Sequence, residues 1–169
     1  TKFLKEQKRV TVDVAGDPAI IAPRQAVQVV EFSDFLCPSC QRAFKFNSII
    51  LASHRQDVSF VFKHFPLDSS CNSTITRVVH PNACELAAAT ECAHEQGKFW
   101  PLHDKVFEEG STYKLAHLER DAQSLGLVMA AFRSCRESGR GLEAVKRDIA
   151  EAARLGVGST PSYFVNGLP

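Results

Sequence analysis

Three short runs of β-branched and aromatic residues interrupt a chain whose remaining pattern is largely helical. Residues 28–32 read as a short buried strand, preceded by a turn at Ala22-Pro23-Arg24, and residues 58–65 form a second run ended by Pro66. Residues 162–165 form a third, followed by Asn166-Gly167, a strong hairpin-turn signal. Residues 10–14 can add an edge strand. Between the first two runs, residues 41–53 have helical composition, and Pro38 stands where a first helical turn tolerates a missing amide. No convincing strand falls between Pro81 and Leu155. That stretch predicts helices over residues 81–96, 99–108, 115–125, 130–137 and 142–155, with Gly97, Gly110, Gly126, Gly139 and Gly156 at their ends.

The order strand, helix, strand, helical block, strand predicts an α/β sheet domain with an all-helical subdomain inserted between its second and third core strands. The sheet domain takes residues 20–68 and 156–169, and the insertion takes residues 69–155. Residues 1–19 are expected as an N-terminal extension or linker. A chain of 169 residues is long enough to bury one real core. It ends at Leu168-Pro169, just past the turn. A hairpin needs a returning strand, so the chain is expected to continue past Pro169.

Charge narrows the class of partner. A formal net charge of +1 argues against a nucleic-acid groove or an anionic membrane surface. No apolar run approaches the roughly 18–20 residues of a membrane span. The chain starts at Thr1 and residues 1–9 are charged, so a removed leader or a longer parent protein is expected. Six cysteines suit an oxidising compartment as disulfides. Zinc is the rival, but it takes thiolates in clustered pairs and only one close pair exists, so no metal and no cofactor is expected.

That pair is Cys37 and Cys40 in Cys37-Pro38-Ser39-Cys40. Cys37 follows a strand and opens a helix, where unpaired amides and the helix dipole favour an anion, so its thiol should be acidic. Cys40 lies one turn on, close enough to close a two-residue disulfide ring. Cys37 is expected to be exposed and to exchange through a mixed disulfide, Cys40 to be buried and to resolve it. A permanent staple is the alternative, but a ring enclosing two residues removes little unfolded-chain entropy. Ser39 offers only a hydroxyl, so Cys37 should be less acidic than with a histidine there.

Two charges interrupt apolar strands, Glu31 between Val30 and Phe32, and Lys63 between Phe62 and His64. A core-facing charge is rare unless paired. If the strands are adjacent, the two could meet beneath the disulfide, with Glu31 a candidate proton acceptor for Cys40. The alternative places both on the solvated face. Thr160-Pro161 precedes the third strand. A cis bond there would lay the Thr160 backbone open beside the disulfide, although chain physics alone favours an ordinary trans strand start.

These residues carry a resemblance. The segment Val29-Val30-Glu31-Phe32-Ser33-Asp34-Phe35-Leu36-Cys37-Pro38-Ser39-Cys40 resembles the active-site segment of the DsbA-like thioredoxin-fold thiol–disulfide oxidoreductases. Thr160-Pro161-Ser162-Tyr163-Phe164-Val165-Asn166-Gly167 is similar to the family's cis-proline loop and following strand. Phe62-Lys63-His64-Phe65-Pro66-Leu67, Glu95-Gln96-Gly97-Lys98-Phe99-Trp100 and His103-Asp104 also match family patterns. The likeness covers residues 20 to 167.

The resemblance implies a thioredoxin fold with a helical insertion, Cys37 as nucleophile and Cys40 as resolving thiol. It implies cis-Pro161 with Thr160 as substrate clamp, Pro38 and Ser39 beside it, and Glu31 with Lys63 as the buried pair. The family's last strand and closing helix are missing, and Ser39 replaces its commoner His or Tyr. The fold also occurs fused to a membrane domain of the vitamin K epoxide reductase family. The implied function is an oxidase for cysteine-containing protein substrates outside the cytoplasm, monomeric, served by a vitamin K epoxide reductase or quinone-linked membrane partner. An N-terminal tether to the membrane is expected with it. Isomerase and reductase are alternatives within the chemistry, and a peptide-binding chaperone is one outside it.

Four cysteines remain, with three possible pairings. Cys71–Cys84 would tie down the polar loop over residues 72–79. Cys92–Cys135 would staple two helices of the insertion, a bridge that stabilises by about 3–4 kcal/mol. This pairing is preferred, against buried free thiols as the alternative. His80, His94, His103 and His117 read as surface or helix-packing residues, and only His64 is placed to approach the redox pair.

Overall fold

The computed structural model describes residues 8–169, so most of the charged opening stretch lies outside the described residues. One four-stranded sheet is built from β1 (Ala19–Ile20), β2 (Val27–Ser33), β3 (Val58–His64) and β4 (Ser162–Val165), in the order β1-β3-β2-β4. β2 and β3 run parallel and are joined through α1 (Pro38–Ser53), as a parallel pair requires. β4 lies antiparallel on β2, and β1 antiparallel on β3.

Between β3 and β4 come α2 (Ala83–His94), α3 (Phe99–Glu109), α4 (Leu118–Ser124), α5 (Met129–Ser138) and α6 (Arg140–Leu155). The helix predicted over residues 115–125 begins as a 3₁₀ turn, Leu115–His117, and becomes α-helical only at Leu118. None of the described helices is long and apolar enough to cross a membrane.

Strand alternation sends side chains to two cores. Phe60 and Phe62 face a core shared with Phe35, Leu86, Phe99 and Phe107, so the helical block and that face of the sheet have one continuous interior. Val30, Phe32, Val61 and Phe164 face the other side, against Ala152 of α6. No strand forms over residues 10–14. Val10, Val12 and Val14 instead pack on this second core, and the Val10 amide donates to the Gly167 carbonyl at 2.9 Å. α6 covers only part of that face, and the amino-terminal arm covers more of it. The edge position falls to the two residues of β1.

Disulfides join Cys71 to Cys84 and Cys92 to Cys135. The second ties α2 to α5. α2 carries alanines at 83, 87, 88, 89 and 93, which lets its neighbours approach closely. At Gly141 in α6 an added Cβ would collide with the Ala88 carbonyl oxygen and the Cys92 sulfur. The Cys92–Cys135 bridge closes a separation of 43 residues, a loop length at which cross-linking stabilises by about 4 kcal/mol. Replacing both cysteines by alanine is expected to lower the guanidinium unfolding midpoint accordingly. An unchanged midpoint would show that helix packing alone holds the block.

Candidate active site

β2 ends at Ser33, and the chain turns through residues 34–36 into α1. Cys37 is the helix N-cap with extended backbone, and Pro38 follows at the first helical position, where no amide partner is lost. The turn is set by the buried carboxylate of Asp34. Its Oδ1 accepts the Leu36 amide at 2.7 Å, and its Oδ2 accepts the Leu67 amide at 2.8 Å and meets His80 Nδ1 at 2.8 Å. The Cys37 amide donates to the Asp34 carbonyl at 3.1 Å.

Cys37 and Cys40 carry free thiols. Cys40 has no exposed surface, and Cys37 retains only 5%. The expected exposed position of Cys37 is therefore corrected: it lies in the floor of an open groove of about 550 Å³ whose walls shade it. Residues 74–77 with Val79 and His80 form one wall, and residues 158–160 form the other. Cys37 Sγ stands 3.2 Å from Ser39 Oγ and 3.7 Å from the Thr160 carbonyl oxygen. The Thr160–Pro161 peptide is cis, against the trans start that chain physics favours and in line with the resemblance.

The two thiols are electrostatically unlike. Hydrogen bonding from Cys40 draws the Cys37 pKa down to about 4, outweighing its burial, with further help from the Ser39 hydroxyl. Cys40 moves the other way: its bond to Cys37 and its burial raise it strongly. One sulfur is an anion at neutral pH and the other holds its proton.

Glu31 and Lys63 do not meet. The register pairs Glu31 with Phe62 and Phe32 with Lys63, so the two charges point to opposite faces of the sheet. They are also not on a solvated face, since both are buried. Glu31 Oε2 accepts from Asn47 Nδ2 at 2.9 Å, and Asn47 also contacts the Tyr163 hydroxyl at 3.2 Å. Burial pushes the Glu31 pKa up to about 7, against the hydrogen bonds from Tyr163 and Asn47. Behind the sheet, Lys63 Nζ pairs with Asp17 and, at 2.8 Å, with Asp148 Oδ1. Burial opposes the Lys63 charge, but the two carboxylates outweigh it and its pKa rises. Burial and the Asp148 charge push Asp17 up to about 7 in spite of Lys63.

Several residues join the site beyond those the sequence singles out. Asn47 follows Cys40 by two helical turns on the same face, and Ser33 follows Glu31 on the same strand face, so periodicity could have found both. The Ser33 hydroxyl is buried without a hydrogen-bond partner among the described residues. His80, read as surface or packing, lines the groove, and no local pattern marks it. His64, the one histidine that the sequence leaves open to approach the redox pair, bonds Glu91 of α2 at 2.9 Å. His103 packs among Phe35, Phe62 and Phe107, and burial lowers its pKa.

A family model described as "DSBA-like thioredoxin domain" matches residues 28–168. The chain belongs to that family. Among solved structures, this DSBA-like domain is similar to BdbD from Bacillus subtilis in its oxidised form, with TM-score 0.78, 20% identity, and coverage of 95% of this chain and 87% of that one. It is also similar to a thioredoxin-like oxidoreductase from Silicibacter pomeroyi, with TM-score 0.73, 24% identity, and coverage of 89% and 80%. Those likenesses speak for the fold.

Among curated proteins, the domain is similar to one named Na(+)/H(+) antiporter NhaA 3 from Salinispora tropica. They are 36% identical over 146 residues, 86% of this chain and 21% of that protein. A second, named Na(+)/H(+) antiporter NhaA 1 from Mycolicibacterium gilvum, is 30% identical over 158 residues, 92% and 24% respectively. The DSBA-like domain thus spans between a fifth and a quarter of the length of these relatives.

The raised Glu31 pKa has a measurable consequence. Between the unfolded carboxylate value and about 7 the folded domain binds the extra proton, so this group's contribution to stability falls as pH rises through that window. Above it the cost of the buried anion is complete, on the order of 3 kcal/mol. Glu31→Gln is expected to match the wild type near pH 4 and to exceed it by about that amount at pH 8, read from guanidinium unfolding. Parallel stability curves across this range would exclude a buried carboxyl of raised pKa.

Proposed function

We propose that this domain is a dithiol oxidase that passes a Cys37–Cys40 disulfide to protein thiols outside the cytoplasm. The observation that carries the reading is the unequal pair: an acidic Cys37 in the groove and a strongly proton-holding Cys40 beneath it. A substrate thiolate attacks the Cys37 sulfur, a mixed disulfide forms, and Cys40 departs and takes a proton. A second substrate thiolate then attacks the substrate's sulfur in that mixed disulfide and expels Cys37 as thiolate. The substrate is oxidised by two electrons and the domain is reduced by two. A stable Cys37 thiolate is a good leaving group and favours the reduced domain, which makes the disulfide oxidising.

Each neighbour has a part in this scheme. The carbonyl of Thr160 before cis-Pro161 offers a strand-like edge to an extended substrate, with Pro38 and Ser39 lining the same groove. Glu31, near neutrality in its buried site, accepts and returns the Cys40 proton. Lys63 belongs to the rear ion cluster and holds the sheet rather than the thiols.

Cys71–Cys84 and Cys92–Cys135 are structural bridges, and they support a location outside the reducing cytosol. The curated relatives are named as antiporters, which supports action beside a membrane, where a vitamin K epoxide reductase or quinone-linked partner would reoxidise the pair.

The test is to mix the oxidised domain with a reduced peptide carrying two cysteines. Stoichiometric peptide oxidation is expected and Cys37→Ser should abolish it, while reduced Cys40→Ser offered the peptide in its disulfide form should attack that disulfide through Cys37, release one peptide thiol and stay trapped as the mixed disulfide. Refolding of a scrambled substrate without net oxidation would assign isomerase activity instead. Peptide binding without exchange in the wild type would leave a chaperone.

A further inference from the structure

The dipeptide between the two cysteines carries no charge, since it is Pro38-Ser39. Cys37 nonetheless shares its groove with one imidazole, that of His80, which reaches it from a distant part of the chain. The loop that carries His80 is closed at its ends by the Cys71–Cys84 disulfide. Within it, the Val79 and His80 amides donate to the Leu67 carbonyl at 2.9 and 3.0 Å, which fixes the loop against the exit of β3. His80 Nδ1 then meets Asp34 Oδ2 at 2.8 Å, and Asp34 is the carboxylate that shapes the turn into Cys37. A buried carboxylate on the turn that leads into Cys37 disfavours a thiolate there unless a cation cancels its charge.

We propose that His80 is a positioning residue for disulfide exchange: its imidazolium, held by Asp34, neutralises that carboxylate and stabilises the Cys37 thiolate from the groove wall. The charge that Ser39 lacks is thereby delivered from the Cys71–Cys84 loop. The groups that face His80 fit this role. Asp34 lies on the β2–α1 turn and Cys37 at the start of α1. Arg77 lines the groove on His80's own loop, and Tyr113, after α3, lines the cavity on its other side. The Asp34 hydrogen bond raises the His80 pKa over the effect of burial, and the charge on Cys37 raises it further. By linkage, whatever the thiolate does for the imidazolium, the imidazolium does for the thiolate.

This inference rests on the exchange reading of Cys37, and two measurements separate them. The first follows thiolate absorbance against pH in the reduced wild type and in His80→Gln, which keeps an amide able to bond Asp34. The Cys37 titration is expected to move up by about one pH unit in the variant, a tenfold loss of thiolate stability. The second follows the His80 imidazole by NMR in the wild type alone, reduced and then oxidised to Cys37–Cys40. Its midpoint should fall by a matching amount on oxidation, a readout that a merely structural histidine would not give. Identical His80 midpoints in the two redox states would overturn the proposal even if His80→Gln failed to fold. An ordinary, unacidic Cys37 in the wild type would instead overturn the exchange reading itself.

Discussion

One buried carboxylate holds the site together. Asp34 satisfies the amide of Leu36 in the turn before Cys37, the amide of Leu67 at the exit of β3, and the imidazole of His80. Three segments far apart in sequence are thus fixed to a single pair of oxygens. The backbone path into α1 follows, and with it the place of the Cys37 sulfur at the helix start. An unpaired carboxylate in that position would cost several kcal/mol of desolvation, so its partners and its geometry are settled together.

The sheet separates two electrostatic problems. On the face toward α1, Glu31 is buried with only neutral hydrogen-bond partners, and it responds by holding its proton near neutrality. On the opposite face, Lys63 sits between Asp17 and Asp148, and Asp148 also accepts the His64 amide at 2.7 Å. That cluster ties the amino-terminal arm, β3 and α6. The first arrangement leaves a titratable group free to exchange a proton, and the second spends its charges on holding elements together. A one-residue offset between facing strands decides which charge has which fate.

The fold was legible where a local pattern is sufficient. β4 starts and ends where its run of residues does, β2 extends one residue past its predicted run at each end, and β3 stops one residue short of its own. The place of Cys37 and Cys40 at the start of a helix was readable from spacing alone. Register was not, because alternation gives the face of each strand but not its alignment with a neighbour, and Glu31 and Lys63 were misplaced for that reason. Residues 10–14 had strand-like composition and a different duty, covering the second core. His80 lacked any periodic sign, since its position depends on the fold of the loop between Cys71 and Cys84.

The two walls of the groove flank the helical block in sequence: residues 74–80 enter it and residues 158–160 leave it. The first wall is anchored by the Cys71–Cys84 bridge and by the Val79 and His80 amides on the Leu67 carbonyl, and the second runs directly into β4. Both lips of the cleft above Cys37 are thus tied at their base to the sheet. On the exchange reading proposed above, such a cleft admits an extended chain more readily than a folded surface.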